Sequence, residues 1–224
     1  MRMLIRFGKQ ARLRFISHLD LQRFLHMALS RTGLPIKFSE GFNPHPQMAF
    51  GSALPLFETS EYELLDVKLA APMGRKRCED AMRGALPADL PLLQLRLIDD
   101  KAPSVMSMVC ASDYRISLSE KDAPGFSTAL NAFMALPEYF AQKKSKSGVK
   151  ETNIRPLVLD AKREENALLV RLMLTEKDSL KPELLLSELA KLAGAEDYSA
   201  RIHRTCLYAA GADGSLVPFM DLNL

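Results

Sequence analysis

The first half of the chain changes repeatedly between the two-residue period of strands and the longer period of helices. Residues 3–7 alternate as a strand, and residues 13–15 form a second extended piece. Ser17 then precedes a run in which apolar side chains recur every three or four positions, at Leu21, Leu25, Ala28 and Leu29. This pattern predicts a helix that is capped by Ser17 and Asp20 and ends before Gly33. Further predicted elements are strands at 36–38, 47–54, 62–69 and 92–98 and a helix at 74–85.

The second half repeats this order after Pro103. The pattern predicts strands at 113–119, 157–160, 167–174 and 200–208, helices at 126–136 and 182–192, and a basic loop at 142–155. Each half then roughly follows the order β-α-β-β-α-β, with an extra N-terminal hairpin in the first half, and this order is typical of the ferredoxin-like arrangement of two helices on one face of an antiparallel sheet. We therefore predict an α+β protein of two ferredoxin-like halves with antiparallel sheets, residues 1–103 and 104–224.

Composition supports a packed core, because 47% of the residues are apolar and 25% are charged. The formal net charge is only +3, but residues 1–50 hold eight Lys or Arg side chains and two carboxylates. Such a basic segment favours contact with phosphates or an acidic partner, and the alternative is an ordinary solvated surface.

The cysteines Cys78, Cys110 and Cys206 are far apart and have no metal-ligand spacing, so we expect them to be buried apolar residues in a reducing cytoplasm. The sequence has no phosphate-binding glycine loop, dinucleotide fingerprint or metalloprotease motif, so we expect no cofactor. No apolar run approaches the length of a membrane span, and the first residues do not resemble a signal peptide.

Two polar motifs, SHLDL at 17–21 and GFNPHP at 41–46, carry the candidate chemistry. If they lie at the same edge of the sheet, they form a polar cluster of His18, Asp20, Glu40, Asn43 and His45. One hypothesis is a metal site of His18, Asp20 and His45. The alternative is structural, with Asp20 capping the helix and His45 stiffening the loop between two prolines.

A second hypothesis makes His18 a general base that takes a proton from an RNA 2′-hydroxyl while Arg14 or Arg23 holds the phosphate. A third hypothesis is binding. The start of the helix offers free amides to an anion, Arg12, Arg14 and Arg23 add positive charge, and Phe15 or Phe42 stacks on a base if it is exposed. Both phenylalanines are core residues in the alternative interpretation.

The predicted loop 142–155 is the second candidate for binding. It carries Lys143, Lys144, Lys146, Lys150 and Arg155 around a Gly/Ser centre, a composition that contacts phosphates without sequence preference. Arg155 is followed by Pro156, which restrains its backbone. A solvated flexible loop is the alternative.

The stretch from Arg12 to Leu56, with both motifs, resembles the radical-SAM-linked protein family, a domain of unknown function. Residues 111–115, 146–160 and 204–208 also resemble it, so the likeness extends over nearly the whole chain. The sequence departs from the family at Phe57, where relatives often have glycine. The resemblance implies a separate partner, a radical SAM protein with a B12-binding-type domain, and a role in RNA processing or modification.

We therefore expect an accessory RNA- or partner-binding protein of the cytoplasm that works with a radical SAM enzyme on RNA or a ribosomal component. Any radical chemistry would belong to that enzyme. The alternative is an enzyme that uses His18 and His45, either a metal-independent RNA endonuclease or a metal-dependent hydrolase.

Overall fold

The computed structural model describes residues 1–145 and 148–224, without the Ser145 side chain. It divides into unit 1, residues 1–109 and 206–224, and unit 2, residues 110–205. The predicted C-terminal half of residues 104–224 is therefore not one unit, because residues 206–224 belong with the N-terminal residues. No helix of the described residues is long and apolar enough to cross a membrane.

The chain is a mixed α+β protein. Its strands are β1 (Arg2–Lys9), β2 (Met48–Phe50), β3 (Thr59–Lys68), β4 (Leu92–Ile98), β5 (Val109–Leu118), β6 (Phe140–Ser145), β7 (Gly148–Asn153), β8 (Val158–Glu164), β9 (Ala167–Met173), β10 (Ala200–Ala210) and β11 (Leu216–Pro218). Its α-helices are α1 (His18–Arg31), α2 (Arg75–Ala85), α3 (Val105–Met108), α4 (Ala123–Ala135) and α5 (Pro182–Ala193).

In unit 1, β1 lies between β4 and β3 and is antiparallel to both, and β2 pairs with β3 in the same sense. The predicted apolar stripe of α1 is confirmed, since its buried residues are Leu21, Leu25, Ala28 and Leu29. Leu21, Leu25 and Leu29 join the core cluster that contains Met3, Ile5 and Phe7 of β1. The start of α1 is therefore fixed against the β1–β3 pair by apolar packing.

In unit 2 the strand order is β10-β5-β9-β8, where β10 contributes its residues up to Thr205, and the β5–β9 and β8–β9 pairs are antiparallel. Helices α4 and α5 cover a core that includes Phe126, Phe133 and Leu189. The hairpin β6–β7 forms a separate two-stranded sheet.

Several local predictions were wrong, among them the strand at 47–54, of which only β2 (Met48–Phe50) forms. Residues 13–15 are not a strand but the end of a 3₁₀ helix (Ala11–Phe15). Within 36–38, only isolated bridges form, from Ile36 to Leu69 and from Phe38 to Pro46. The basic segment predicted as a loop is mostly the β6–β7 hairpin, because buried Ala141 and the extended pairing from Phe140–Asn153 onward hold the two arms together.

Candidate functional site at the start of helix α1

The first turn of α1 is held by a reciprocal contact between Ser17 and Asp20. The Asp20 amide donates to Ser17 Oγ over 3.2 Å, and Ser17 Oγ donates to Asp20 Oδ2 over 2.7 Å. Arg23 Nη1 donates to Asp20 Oδ1 over 3.2 Å. The Ser17 hydrogen bond is the main reason that the pKa of Asp20 lies below its usual value. The capping role of both residues is thus confirmed, and the hydroxyl group of Ser17, not its amide, is the partner of the carboxylate.

His18 follows the cap and is half-buried. Its ring packs edge-on against the Phe50 ring, with 4.6 Å between the centroids. Burial lowers the pKa of His18, the negative charge of Glu63 opposes this shift, and the positive charge of Lys9 adds to it. Within residues 1–145 and 148–224, no group forms a hydrogen bond with the imidazole.

Charged side chains are buried close to His18, at the point where β1 and β3 pair. Lys9 and Glu63 are each 1% exposed, and Glu58 and Ser60 are buried with them. Lys9 lies opposite Ser60 in the β1–β3 pair, and Phe7 lies opposite Glu63. Buried charges are expensive to desolvate, and such groups collect at functional sites more often than elsewhere. None of these residues was a predicted site residue, although charged positions inside the otherwise apolar strands β1 and β3 were the available signal.

Lys9 also fixes the segment that leads into the helix. Its Nζ donates to the Ile16 carbonyl oxygen over 3.2 Å, and the Gln10 amide donates to Asp89 O over 2.9 Å. The segment between them contains Ala11, whose φ is +44°. A non-glycine residue rarely adopts such a backbone angle, so residues 10–16 are held in one strained conformation by contacts at both ends.

An exposed aromatic pair lies beside this segment. The Phe57 amide donates to Arg14 O over 2.7 Å, and the rings of Phe15 and Phe57 meet nearly perpendicular with centroids 6.1 Å apart. The Arg14 guanidinium lies over the Phe15 ring at 4.6 Å. Phe15 is 57% exposed and Phe57 is 65% exposed. The core alternative for Phe15 was therefore wrong. We call Arg14, Phe15 and Phe57 the aromatic rim.

Phe57 has φ of +69°, in the left-handed region that favours glycine. This angle gives a physical reason for the glycine that the family resemblance implied at this position. The chain keeps a phenyl ring there at a strain of about 1 kcal/mol. A ring that is both exposed and held in a strained conformation is a candidate for contact with a ligand.

The GFNPHP loop reaches α1 at His26. The His26 and His45 rings stack with centroids 6.1 Å apart. The His45 Nδ1 atom lies 3.2 Å from both Ser39 Oγ and Asn43 O, and the His45 amide donates to Ser39 Oγ. His45 is thus used within its own loop and against His26, a residue to which the sequence analysis gave no role.

Among the described residues, no hydrogen bond, ion pair or ring contact joins His18 or Asp20 to Glu40, Asn43 or His45. No group of three His, Cys, Asp or Glu side chains in the described part of the chain is arranged to hold a metal ion, and this includes His18, Asp20 and His45. Glu40 and Phe42 are exposed residues of the loop. Arg12 is a largely exposed cation whose Nε lies 3.6 Å from Asp89 Oδ2.

The second predicted region lies in unit 2, on the β6–β7 hairpin. Lys144 and Lys150 are exposed, Lys143 is partly exposed, and Lys143 lies directly opposite Lys150 in the strand pairing. Like charges in such a pair destabilise a hairpin. Lys146 lies outside the described residues.

The Arg155 side chain forms hydrogen bonds within unit 2. Its Nη1 donates to Val158 O over 3.2 Å and its Nη2 donates to Met134 O over 3.0 Å. The guanidinium also lies 5.9 Å from the centre of the Phe133 ring. These contacts connect the end of α4 to the start of β8, so they favour a structural role for Arg155 over the predicted binding role.

The chain matches a known protein family. The model of a family described as "Uncharacterized protein conserved in bacteria (DUF2344)" matches residues 2–182. No curated protein matches the chain.

Proposed function

We propose that this chain, which belongs to the DUF2344 family of bacterial proteins, is an accessory RNA-binding protein that works with a radical SAM enzyme. The aromatic rim of Arg14, Phe15 and Phe57 is the observation that carries the RNA-binding part. The partner, a radical SAM protein with a B12-binding-type domain, rests on the resemblance of the SHLDL and GFNPHP motifs.

The aromatic rim has the chemistry of a single-stranded RNA site. Unpaired bases stack on exposed aromatic rings, and arginine contributes both a planar cation and a phosphate contact. Exposed apolar side chains that cluster on a surface mark interaction sites in general. The excess of Lys and Arg in residues 1–50 favours a negatively charged partner with flat rings over an apolar protein surface.

The hairpin lysines Lys143, Lys144 and Lys150 would provide a second, less selective contact. Ammonium groups on a flexible stem attract phosphates as point charges and do not distinguish bases. Their contribution is expected to fall steeply with salt, because binding releases counterions from the nucleic acid.

Each unit would follow the ferredoxin-like arrangement. The order β4-β1-β3-β2 in unit 1 and the order β10-β5-β9-β8 in unit 2 support this assignment, as does the position of two longer helices in each unit. We also propose a cytoplasmic location. The chain has no run of cysteines that would hold an iron–sulfur cluster, so the radical chemistry would be that of the partner.

Two measurements test the proposal. The first is co-purification of the tagged chain from its own organism, with protein and RNA identified in the eluate. We expect a radical SAM protein together with RNA. An eluate that contains neither would contradict the proposal, and shortened RNA that requires His18 and His45 would favour the endonuclease alternative.

The second measurement is the fluorescence anisotropy of a labelled twelve-nucleotide oligouridylate at low salt. Phe57→Gly removes one ring without backbone strain, and Phe15→Leu removes the other. Because stacking contributes about 1–3 kcal/mol per base, we expect the double variant to bind about 10- to 100-fold more weakly. Leu93→Ala, at an exposed apolar residue of β4, is the matched control. Equal affinity of the wild type and the double variant would contradict a role for the rim.

A further inference from the structure

The imidazole of His18 and the aromatic rim lie on the same two segments of unit 1, residues 14–18 and 50–57. The segment that follows β2 leaves from Phe50, which packs against His18, and returns at Phe57, which packs against Phe15. Phe15 and His18 are also separated by only two residues of the chain, at the point where α1 begins. A nucleotide stacked on the rim would therefore lie beside the imidazole.

A nucleotide offers three kinds of group to such a patch. Its base suits the phenyl rings, and its phosphate suits the guanidinium of Arg14. The remaining group is the ribose 2′-hydroxyl, which both donates and accepts hydrogen bonds and is the feature that separates RNA from DNA. Among the described residues no group forms a hydrogen bond with His18, so its imidazole can serve this hydroxyl group.

The protonation state of His18 determines whether its hydrogen bonds match a hydroxyl group or a phosphate group better. A phosphate oxygen only accepts hydrogen bonds, so it is best matched by a charged imidazole that donates from both nitrogens. Burial against Phe50 lowers the pKa of His18 and disfavours the charged form. The neutral ring offers one donor and one acceptor, which matches a hydroxyl group.

From this juxtaposition we infer that His18 is the residue that distinguishes RNA from DNA, by forming a hydrogen bond with the 2′-hydroxyl of the nucleotide stacked on the aromatic rim. The inference rests on the proposed RNA-binding function and identifies the class of ligand as single-stranded ribonucleotides. It also separates His18 from His26, whose ring is stacked against His45 in another part of α1.

The test compares two probes that differ only in the sugar, the twelve-nucleotide oligouridylate and its 2′-deoxy form, with the full chain at fixed salt. We expect the wild type to prefer the ribose probe by about five- to tenfold, the size of one hydrogen bond. His18→Phe keeps a ring against Phe50 but removes both nitrogens, and it should bind the two probes equally. His18→Gln keeps a donor and an acceptor and should restore part of the preference. His26→Phe is the matched control and should keep all of it.

Two kinds of result would overturn the inference, and they have different consequences for the proposed RNA-binding function. If the wild type binds both probes with equal affinity, or if His18→Phe keeps the preference, His18 does not recognise the ribose, and the proposed RNA-binding function stands. If the wild type binds neither probe, the proposed function fails and the inference fails with it. Circular dichroism and urea unfolding of His18→Phe establish that the variant is folded, and His18→Gln supplies a second folded variant.

Discussion

The same serine–aspartate contact lies at the start of α1 in unit 1 and in the turn before α4 in unit 2, and only the first of these places has the features of a binding site. In unit 1, Ser17 and Asp20 exchange hydrogen bonds of 3.2 and 2.7 Å. In unit 2, Ser119 and Asp122 exchange hydrogen bonds of the same lengths. The sequences SHLD and SEKD therefore give the same reciprocal contact, although Ser17 is the N-cap of α1 and Ser119 precedes α4 by a turn, and this contact by itself does not create the site.

The difference lies in what surrounds the cap. In unit 2, Ser119 directly follows the last residue of β5, Leu118, and Asp122 also accepts from the Ser199 amide. In unit 1, residues 10–16 are inserted between β1 and Ser17, and they carry Arg12, Arg14 and Phe15. The insertion rests on buried Lys9, and the cap is followed by His18 in place of Glu120. A shared helix start thus becomes a candidate site through one inserted turn and the buried charges below it.

Among the variants that test this difference between the units, Lys9→Met is expected to have the largest effect on stability. Removing one member of a buried charged group leaves the remaining charges without compensation, so we expect a loss of about 3 kcal/mol in the free energy of unfolding. Urea denaturation followed by circular dichroism measures it. Lys177→Met, at an exposed lysine of unit 2, is the control and should change the stability by less than about 0.5 kcal/mol. A Lys9→Met variant as stable as the wild type would show that the insertion does not depend on the buried charge.

A smaller effect on stability is expected from removing the serine hydroxyl group of each contact. Ser17→Ala and Ser119→Ala should each lower the free energy of unfolding by about 1 kcal/mol, because each leaves helix amides without an acceptor. If only one substitution is destabilising, the two helix starts are not equivalent.

The same two variants also test what lowers the pKa values of Asp20 and Asp122. The serine hydrogen bond is the largest cause that lowers the pKa of Asp20 and of Asp122. A carboxyl group with a lowered folded-state pKa stabilises the fold above its ordinary pKa, and the contribution disappears as the pH falls through the folded-state value. In Ser17→Ala the pKa of Asp20 should rise and that of Asp122 should stay unchanged. Carboxyl NMR titration checks this, and the reverse experiment on Ser119→Ala should shift Asp122 alone.

The smallest effect concerns the hairpin of unit 2. Lys150→Glu replaces a like-charged pair with Lys143 by an opposite-charged pair, and it should stabilise the hairpin by roughly 0.5 kcal/mol. The same change should weaken binding of the oligouridylate and make it less sensitive to salt. Lys177→Glu, at an exposed lysine of unit 2, is the control with the same change of charge. If the two variants bind the probe equally, the hairpin lysines have no special role and only net charge matters.

The sequence predicted local features of the fold well, because their causes lie within a few residues. The bounds of β4 matched the prediction, and α2 began one residue later than predicted. The stripe and the cap of α1 were confirmed for the same reason, since a helix buries residues at fixed spacing and needs an acceptor at its start. The 3₁₀ turn at 11–15 was missed, because it depends on hydrogen bonds from Gln10 to Asp89 and from Phe57 to Arg14.

For the candidate site, too, the sequence predicted local features and not the contacts between distant residues. The sequence by itself determined that His18 begins a helix, that Arg12, Arg14 and Arg23 make its surroundings basic, and that GFNPHP is a stiff loop. Tertiary structure alone decided that His45 meets His26, that Lys9 and Glu63 are buried near His18, and that Arg155 binds carbonyl oxygens of its own unit. Periodicity and capping act between neighbours in the chain, whereas strand register brings residues more than fifty positions apart together, and no local pattern records that pairing.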